Sequence, residues 1–383
     1  MDEVVRYSFR MRPGRTAESA LISEWHRCRF LWNEAVHQQK SGNRLTFARL
    51  GKLLTEARSA SAWLREGSQV AQQQTLRTYA QALTQSFTVK GRGRPVFKAR
   101  KRTLVSLEYT RRGFTVSDGR LMLAKGISVP VVWSRELPSE PTSVRIIRDS
   151  LGHWYVSFVV RRAVEPAAKT EGGIGIDWGV RTTATTTNSA FDLSYCGYRA
   201  RAAAELARAQ RKMARRRVKH GQQSGGYQRA ARVAAKLHKK AARQTRHDSR
   251  VWAKSVVDHH DVIAVEDFKP KFLTKSTMAR KAADAAIGAA KRGLIERGRR
   301  AGRRVVLVQP AHTSMTCSSC FARAKQRLEL GERTFRCHGC GYTEGRDRNA
   351  ARVILAVAER GHTRVEDVRQ SDDLLRAVGS VAV

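Results

Sequence analysis

Apolar positions along this chain change their period twice. Residues 4–10 alternate weakly, as a single strand does. From 15 to 87 the apolar residues recur at helical spacing. Ala20, Leu21, Trp25, Cys28, Leu31, Trp32 and Ala35 fall on one stripe, and Leu50, Leu53 and Leu54 on a second. A third helix is expected from Ser68 to Phe87, its apolar side built from Leu76, Tyr79, Ala80, Leu83 and Phe87. The breaker GRGRP at 91–95 ends this regime. Short alternating strands then follow from Val96 to Val164, as LVSLEYT, GFTVSDGRLML, TSVRIIRD and HWYVSFVVR, with turns at Asp118-Gly119 and Leu151-Gly152. One strand, a helical block and then several strands predict a β-barrel with a helical bundle inserted after its first strand. AVEPAAKTEGG at 163–173 reads as a linker.

The second half mixes strands and helices. GGIGIDWGV, TTATTT and FDLSYC predict three strands with short turns. Residues 199–260 are helical with a break at GQQSGG. VIAVEDF at 262–268 is a buried strand that ends in acid. An Ala-rich helix over 278–300, a strand RVVLVQP at 304–310, and a helix over 347–360 complete the pattern. The final twenty or so residues are polar and read as a frayed tail. No internal repeat is visible at a 20–50 residue period.

Charge changes this picture from a generic α/β chain to one with a polyanionic partner. Lys and Arg number 73 against 33 Asp and Glu, a formal charge of +40. Nucleic acid is the favoured partner, because phosphate neutralisation supplies most of the affinity of such proteins. The stretch 199–250 alone carries 17 Lys/Arg against two acids, too lopsided for an ordinary mixed surface. There is no apolar run near 18 residues, which argues against a membrane role. The N-terminus MDEVVRYSFRMRPG lacks an apolar signal core, so the protein is expected to stay in the cytoplasm.

Cysteine spacing supplies the first specific chemistry. Two CxxC pairs, Cys317/Cys320 and Cys337/Cys340, are separated by sixteen residues. Each CxxC puts two thiolates on one tight turn, and four complete a tetrahedral, closed Zn²⁺ shell. His312 and His338 lie near it but are read as ordinary polar residues. Cys28 and Cys196 stand alone in apolar surroundings and are expected to be buried reduced thiols.

Three acids occupy similar positions. Asp177 ends the apolar run IGID, Glu266 ends VIAVE, and Asp347 opens the helix after the cysteines. Carboxylates emerging at the carboxyl edge of a sheet are where open α/β folds build sites. Converging carboxylates repel one another unless cations lie between them, and Mg²⁺ is the natural hard ion for oxygen ligands. Two such ions can activate water and stabilise the leaving oxygen of a phosphodiester, and Mn²⁺ can substitute. Taken singly, a strand-ending acid is more often a cap or ion-pair partner, and Asp347 could serve only as a helix N-cap. Asp267 competes with Glu266 locally but should point to the opposite face of the strand.

RFLWNEAV at 29–36, SQVAQQQTLRTYAQALTQSF at 68–87, GRPVFKAR at 93–100, GIDWGV, the Lys/Arg-rich helical pair, VIAVEDF, TSMTCSSC, CHGCG and RDRNAA occur in a set order over nearly the whole chain. In that order they resemble TnpB, the transposon-encoded RNA-guided nuclease family related to type V CRISPR effectors. The resemblance implies a RuvC-type, RNase H-like nuclease domain with an inserted zinc ribbon, preceded by a wedge β-barrel carrying a helical recognition insert. The corresponding division is 1–12 first barrel strand, 13–90 recognition helices, 91–168 barrel, 169–310 nuclease domain with its basic pair at 199–260, 311–346 ribbon, 347–365 final nuclease helix and 366–383 tail.

The resemblance also implies roles. Asp177, Glu266 and Asp347 would be catalytic, holding two Mg²⁺ ions. An omega-type guide RNA and double-stranded target DNA would be the partners of a monomeric, nucleoid-associated prokaryotic protein. Gln69 and Gln73, with Phe47 as an apolar contact, would read a short motif beside the target. Lys98, Arg100, Arg111, Arg215, Arg216 and Arg217 would be further nucleic-acid contacts. A miniature CRISPR effector is the nearest rival. A guided DNA-binding repressor and an RNA-independent transposase or resolvase are the others. In two places the chain departs from the family pattern: Trp178 stands where Leu or a small residue is usual, and Phe321 where a Gly often follows the first knuckle.

Overall fold

The computed structural model describes residues 2–42, 45–100, 103–164, 167–170, 172–269, 279, 281, 285–324 and 331–370. The expected start of the Ala-rich helix near 278 falls largely, and the tail beyond 370 wholly, outside the described residues. The chain divides into two units, Met1–Val164 and Glu165–Val383.

In the first unit, β1 (Asp2–Met11) is followed by four helices, α1 (Arg15–Lys40), α2 (Phe47–Ala60), α3 (Ala62–Glu66) and α4 (Gln69–Thr88). Then come β2 (Ser106–Thr110), β3 (Phe114–Ser117), β4 (Arg120–Leu123), β5 (Ile127–Val132), β6 (Ser143–Arg148) and β7 (Trp154–Ala163). All seven strands form one antiparallel, nearly closed sheet in the order β2-β6-β7-β1-β5-β4-β3. The β3–β4 turn has Asp118 at φ 50° and Gly119 at φ 71°, the paired left-handed conformation that suits the twist of a two-residue hairpin. Sequence patterning did not identify β5. Pro130 lies inside it, and proline normally speaks against a strand interior.

The helical stripes are where periodicity put them. Leu21, Trp25 and Cys28 pack into the barrel core, while Leu31, Trp32, Leu50, Leu54, Leu76, Tyr79 and Leu83 form a separate core among the helices. Phe87 is the exception. Expected on the apolar stripe of α4, it is 67% exposed.

The second unit holds a five-stranded sheet in the order β10-β9-β8-β11-β12. Its strands are β8 (Gly173–Trp178), β9 (Thr182–Thr186), β10 (Leu193–Ser194), β11 (Val262–Glu266) and β12 (Arg304–Val308). β8, β11 and β12 are parallel, whereas β9 runs antiparallel to β8. The helices are α5 (Tyr198–Arg201), α6 (Ala203–Arg215), α7 (Gly225–His259), α8 (Ile287–Arg300) and α9 (Arg346–Glu359). The helical break ends sooner than GQQSGG predicts, because the Ser224 side chain accepts from the Tyr227 N–H and caps α7 before the two glycines. One sheet face packs on α7 and α8 through Ile174, Ile176, Ile263 and Val265. Ala264 on the other face packs on α9 through Val353, Ile354 and Val357.

Candidate functional site

Strand periodicity decides where the first two acids point. Ile174 and Ile176 face the α7–α8 core, so Gly173, Gly175 and Asp177 face α9. On β11, Ile263 and Val265 take the first face, and Ala264 and Glu266 the second. The parallel register Ala264↔Gly175 and Val265↔Ile176 brings Glu266 beside Asp177 on the same face. Neighbouring strands lie about 4.8 Å apart, so these are adjacent carboxylates.

α9 brings the third. It can approach β8 closely because Gly175 has no side chain: a Cβ there would sit 1.9 Å from the carbonyl oxygen of Ala351. The small residues of GIGID and RDRNAA thus set how near Asp347, in the first turn of α9, comes to Asp177. Two neighbours of Asp347 fix the helix start. Arg348 donates to the Thr186 carbonyl at 2.6 Å and to Asp192 Oδ2 at 2.9 Å. Asn349, fully buried, donates to the Thr316 carbonyl at 2.8 Å and accepts from the Ser318 N–H at 2.9 Å. Sequence reasoning gave neither residue a role, although both stand inside the quoted RDRNAA motif.

The electrostatics follow from this arrangement. The Asp177 carboxyl is pushed well above its ordinary range, first by burial and then by Glu266 and Asp347, against the pull of Arg346. Glu266 is raised to about 7 by burial, opposed by the Trp178 N–H and Lys291. Asp267 lies on the other face, as expected, with Lys291 Nζ 2.5 Å from its Oδ1. Asp347 is less enclosed, its side chain 39% exposed and 3.8 Å from Arg333. Among the described residues the three carboxylates do not form a group whose oxygens all lie within 4.8 Å of one another; the four cysteines do.

Trp178 clamps this edge. Its indole N–H donates to the Glu266 backbone carbonyl at 3.1 Å, and its ring meets Trp252 edge-on at 5.9 Å between centroids. The larger side chain at this departure therefore ties the ends of β8 and β11 together.

Protons held by these acids make stability depend on pH. A carboxyl whose folded pKa is raised lets the native state bind protons that the unfolded chain releases, so stability falls as pH rises from the ordinary value toward the folded one. For Glu266 that window runs from 4.5 to about 7. Thermal melts of the zinc-loaded protein without added Mg²⁺ or Mn²⁺ should therefore show Tm declining across this window, and Glu266→Gln should flatten the decline. Parallel profiles for the two proteins would refute the burial of a shared charge here.

The thiol group has the dimensions of a zinc shell. Cys317 Sγ lies 3.7 Å from Cys340 Sγ, and Cys320 Sγ 3.6 Å from Cys337 Sγ. Tetrahedral bonds of about 2.3 Å put sulfurs about 3.8 Å apart. Burial opposes ionisation of Cys337, but N–H groups of Cys340 and Gly339 help bring its thiol down to about 7. Neither His312 nor His338 joins the group. Phe321 has the left-handed backbone that favours glycine, at φ 58°, and buries its ring against the α9 core with the Arg360 guanidinium 4.1 Å from its centroid. Of the two lone cysteines, Cys28 is buried as expected, its thiol pushed up to about 12 by burial. Cys196 is only half-buried and donates to Asp248 at 3.3 Å, so the expectation of a buried thiol there is corrected.

The remaining named residues are scattered. Gln69 and Gln73 are exposed one turn apart at the start of α4. Gln72 between them is fully buried, donating to the Leu64 carbonyl at 2.8 Å and accepting from Arg58 at 2.7 Å, so part of the glutamine run is structural. Phe47, 43% exposed, lines a groove with Arg77, Gln81 and Gln85, further along α4. Lys98 holds its ammonium 3.3 Å from the Trp32 ring centroid, and burial lowers its pKa to about 8. Arg100 is exposed, and Arg111 pairs with Glu140 at the surface. Arg215, Arg216 and Arg217 are exposed at the end of α6.

Comparison with known proteins agrees along the chain. Residues 155–277 match the OrfB_IS605 family model, described as "Probable transposase", and residues 290–354 match the "Cas12f1-like, TNB domain" model. A Streptomyces pristinaespiralis protein named "Putative RNA-guided DNA endonuclease" is 30% identical, over 93% of this chain and 90% of its own length. The Escherichia coli K12 protein "Putative RNA-guided DNA endonuclease InsQ" is 27% identical over 93% of this chain and 92% of its own. A Cas12f1 chain, solved with sgRNA and target DNA, shares the fold at a TM-score of 0.56 and 13% identity, over 92% of this chain and 98% of that one.

Proposed function

This chain belongs to the TnpB family of transposon-associated RNA-guided DNA endonucleases, and on that premise we propose that it cuts target DNA through Asp177, Glu266 and Asp347 as a RuvC-type site. The observation that carries the reading is the register of β8 and β11, with Asp177 and Glu266 side by side on the face that α9 covers. The strand order, with β9 antiparallel at one side of three parallel strands, supports an RNase H-like topology.

Three carboxylates, two of them with pKa values raised first of all by burial, fit hard divalent cations such as Mg²⁺ or Mn²⁺. Cations bound there would activate a water and offset charge on the leaving oxygen of a phosphodiester. Asp177 and Glu266 would act as acceptor-only ligands from rigid strands. Asp347 would add a third oxygen from a helix start that Arg348 and Asn349 hold in place. Lys291 leaves Glu266 as the free acid of the Glu266–Asp267 pair by engaging Asp267. The four cysteines fit one structural Zn²⁺.

The partners of this reading are an omega-type guide RNA and double-stranded DNA, bound by a monomeric, nucleoid-associated protein. Base pairing would read the target and the protein only a short motif beside it. Gln69 and Gln73 support a reader at the start of α4, since glutamine can pair with adenine in the major groove. A plasmid library with randomised flanks, cut by the protein with its co-purified RNA, tests both ideas. Depletion of one flanking motif is expected, and Gln73→Ala should shift it at one or two positions, with a loss of about 1–3 kcal/mol per paired contact. No depletion in the wild type would sink the guided reading; identical motifs in Gln69→Ala and Gln73→Ala would move the reader to the turn around Arg111.

A further inference from the structure

Between Glu66 and Glu108 the chain has no acidic residue and eight Lys/Arg. Its middle, after α4, is an extended strap that crosses from α4 to α1. Arg92 contacts Gln85 and the Arg94 guanidinium lies 5.5 Å from the Phe87 ring centroid, both on α4. Further on, α1 takes the strap's backbone groups: the Trp32 indole donates to the Val96 carbonyl at 3.0 Å, Asn33 Oδ1 accepts from the Lys98 N–H at 2.8 Å, and Arg29 donates to the Lys98 carbonyl at 3.1 Å. Lys98 turns in to Trp32. In an extended chain the preceding side chain turns the other way, and Phe97 is 52% exposed with Lys40 Nζ 5.5 Å from its centroid.

Two large aromatic rings are thus held outward on a fixed backbone, each beside a cation, in a stretch without negative charge. Single exposed apolar side chains are ordinary; what singles these two rings out is the cation held against each of them. Flat faces that accept stacking, interleaved with guanidinium and ammonium groups, fit unpaired nucleotides, whose bases stack while their phosphates meet the cations. A duplex hides its base faces and would gain nothing from the rings.

We propose that Phe87 and Phe97 form a stacking platform for an unpaired stretch of RNA, with Lys40, Arg92, Arg94 and Arg100 neutralising its phosphates. The choice of RNA, and its identification as the guide, rest on the function proposed above; the stacking does not. The full chain, stripped of nucleic acid, is titrated by fluorescence anisotropy with an oligo(U) RNA of about twenty nucleotides, the same oligo(dU), and an RNA duplex of equal length. Phe87→Leu/Phe97→Leu should weaken oligo(U) binding about tenfold or more, leave duplex binding unchanged, and keep the salt slope, because no charge is lost. Arg92→Gln/Arg94→Gln should instead lower the oligo(U) salt slope by about 1.4.

Wild-type oligo(U) affinity in the leucine variant would leave the rings to a protein partner and overturn the proposal. An equal loss on duplex would overturn it as a mere basic surface. Oligo(dU) bound as tightly, and weakened as much, would overturn the assignment to RNA. A protein that fails to cut DNA but shows the expected oligo(U) pattern would retain the platform and lose only the guided-nuclease reading.

Discussion

Alanine at Asp177, Glu266 or Asp347 is expected to abolish DNA cutting while leaving RNA and DNA binding intact. Each carboxylate would hold metal charge worth several kcal/mol to the transition state, so each loss should cost at least about a thousandfold in rate. None of the three supports a core: Asp177 and Glu266 sit at strand ends, and Asp347 is partly exposed. Removing Asp177 or Glu266 relieves like-charge crowding, so the variants should fold at least as well as the parent. Asp267→Ala is the informative control, because its partner is Lys291 rather than the other acids; it should keep most activity. Single-turnover cleavage with saturating RNA and Mg²⁺ checks all four. Wild-type cutting by Asp347→Ala would remove α9 from the site.

The second large effect is expected from the thiol group. Cys337→Ser should lose the zinc and with it most cutting, although no cysteine touches the acids. The link is structural. The first knuckle offers the Thr316 carbonyl and the Ser318 N–H to Asn349, two residues from Asp347, while Phe321 seats the knuckle on the α9 core. Structural zinc contributes folding free energy directly, about 10–16 kcal/mol of apparent binding in small zinc domains, so its loss should release this anchor. Asn349→Ala tests the link alone. It strands a buried donor and acceptor, at about 1–3 kcal/mol each, and should cut at least about tenfold more slowly with its zinc retained. Asn349→Asp, which keeps the acceptor for Ser318, should fall between. Zinc per chain by elemental analysis is read beside the cleavage rate, and a zinc-free preparation with full activity would break the coupling.

Much of the site was legible because its signals are local. A CxxC turn brings two thiols together wherever it is placed, and the spacing of Cys317, Cys320, Cys337 and Cys340 needed no fold to read. Strand alternation likewise separates Glu266 from Asp267 and Asp177 from Ile176, so the acids that share one sheet face were visible in the order of residues. The same holds for the helical stripes of α1, α2 and α4, where burial follows period.

Other features depend on neighbours distant in sequence, and only the tertiary structure decided them. β5, with Pro130 inside it, is a strand because β1 and β4 lie on either side. Phe87 continues the stripe of Leu76, Tyr79 and Leu83, yet period gives the side a residue faces and not how far along α4 the core extends. Gln69, Gln72 and Gln73 look alike in sequence; one is buried on Leu64 and Arg58, and two are exposed. Gly175 is a small residue in a strand until Ala351 is found against it. Composition and spacing determine which groups this protein owns and which face each one takes. The distances between those faces are set by contacts across more than a hundred residues of chain, as between Gly175 and Ala351 or Thr186 and Arg348, and no local pattern encodes them.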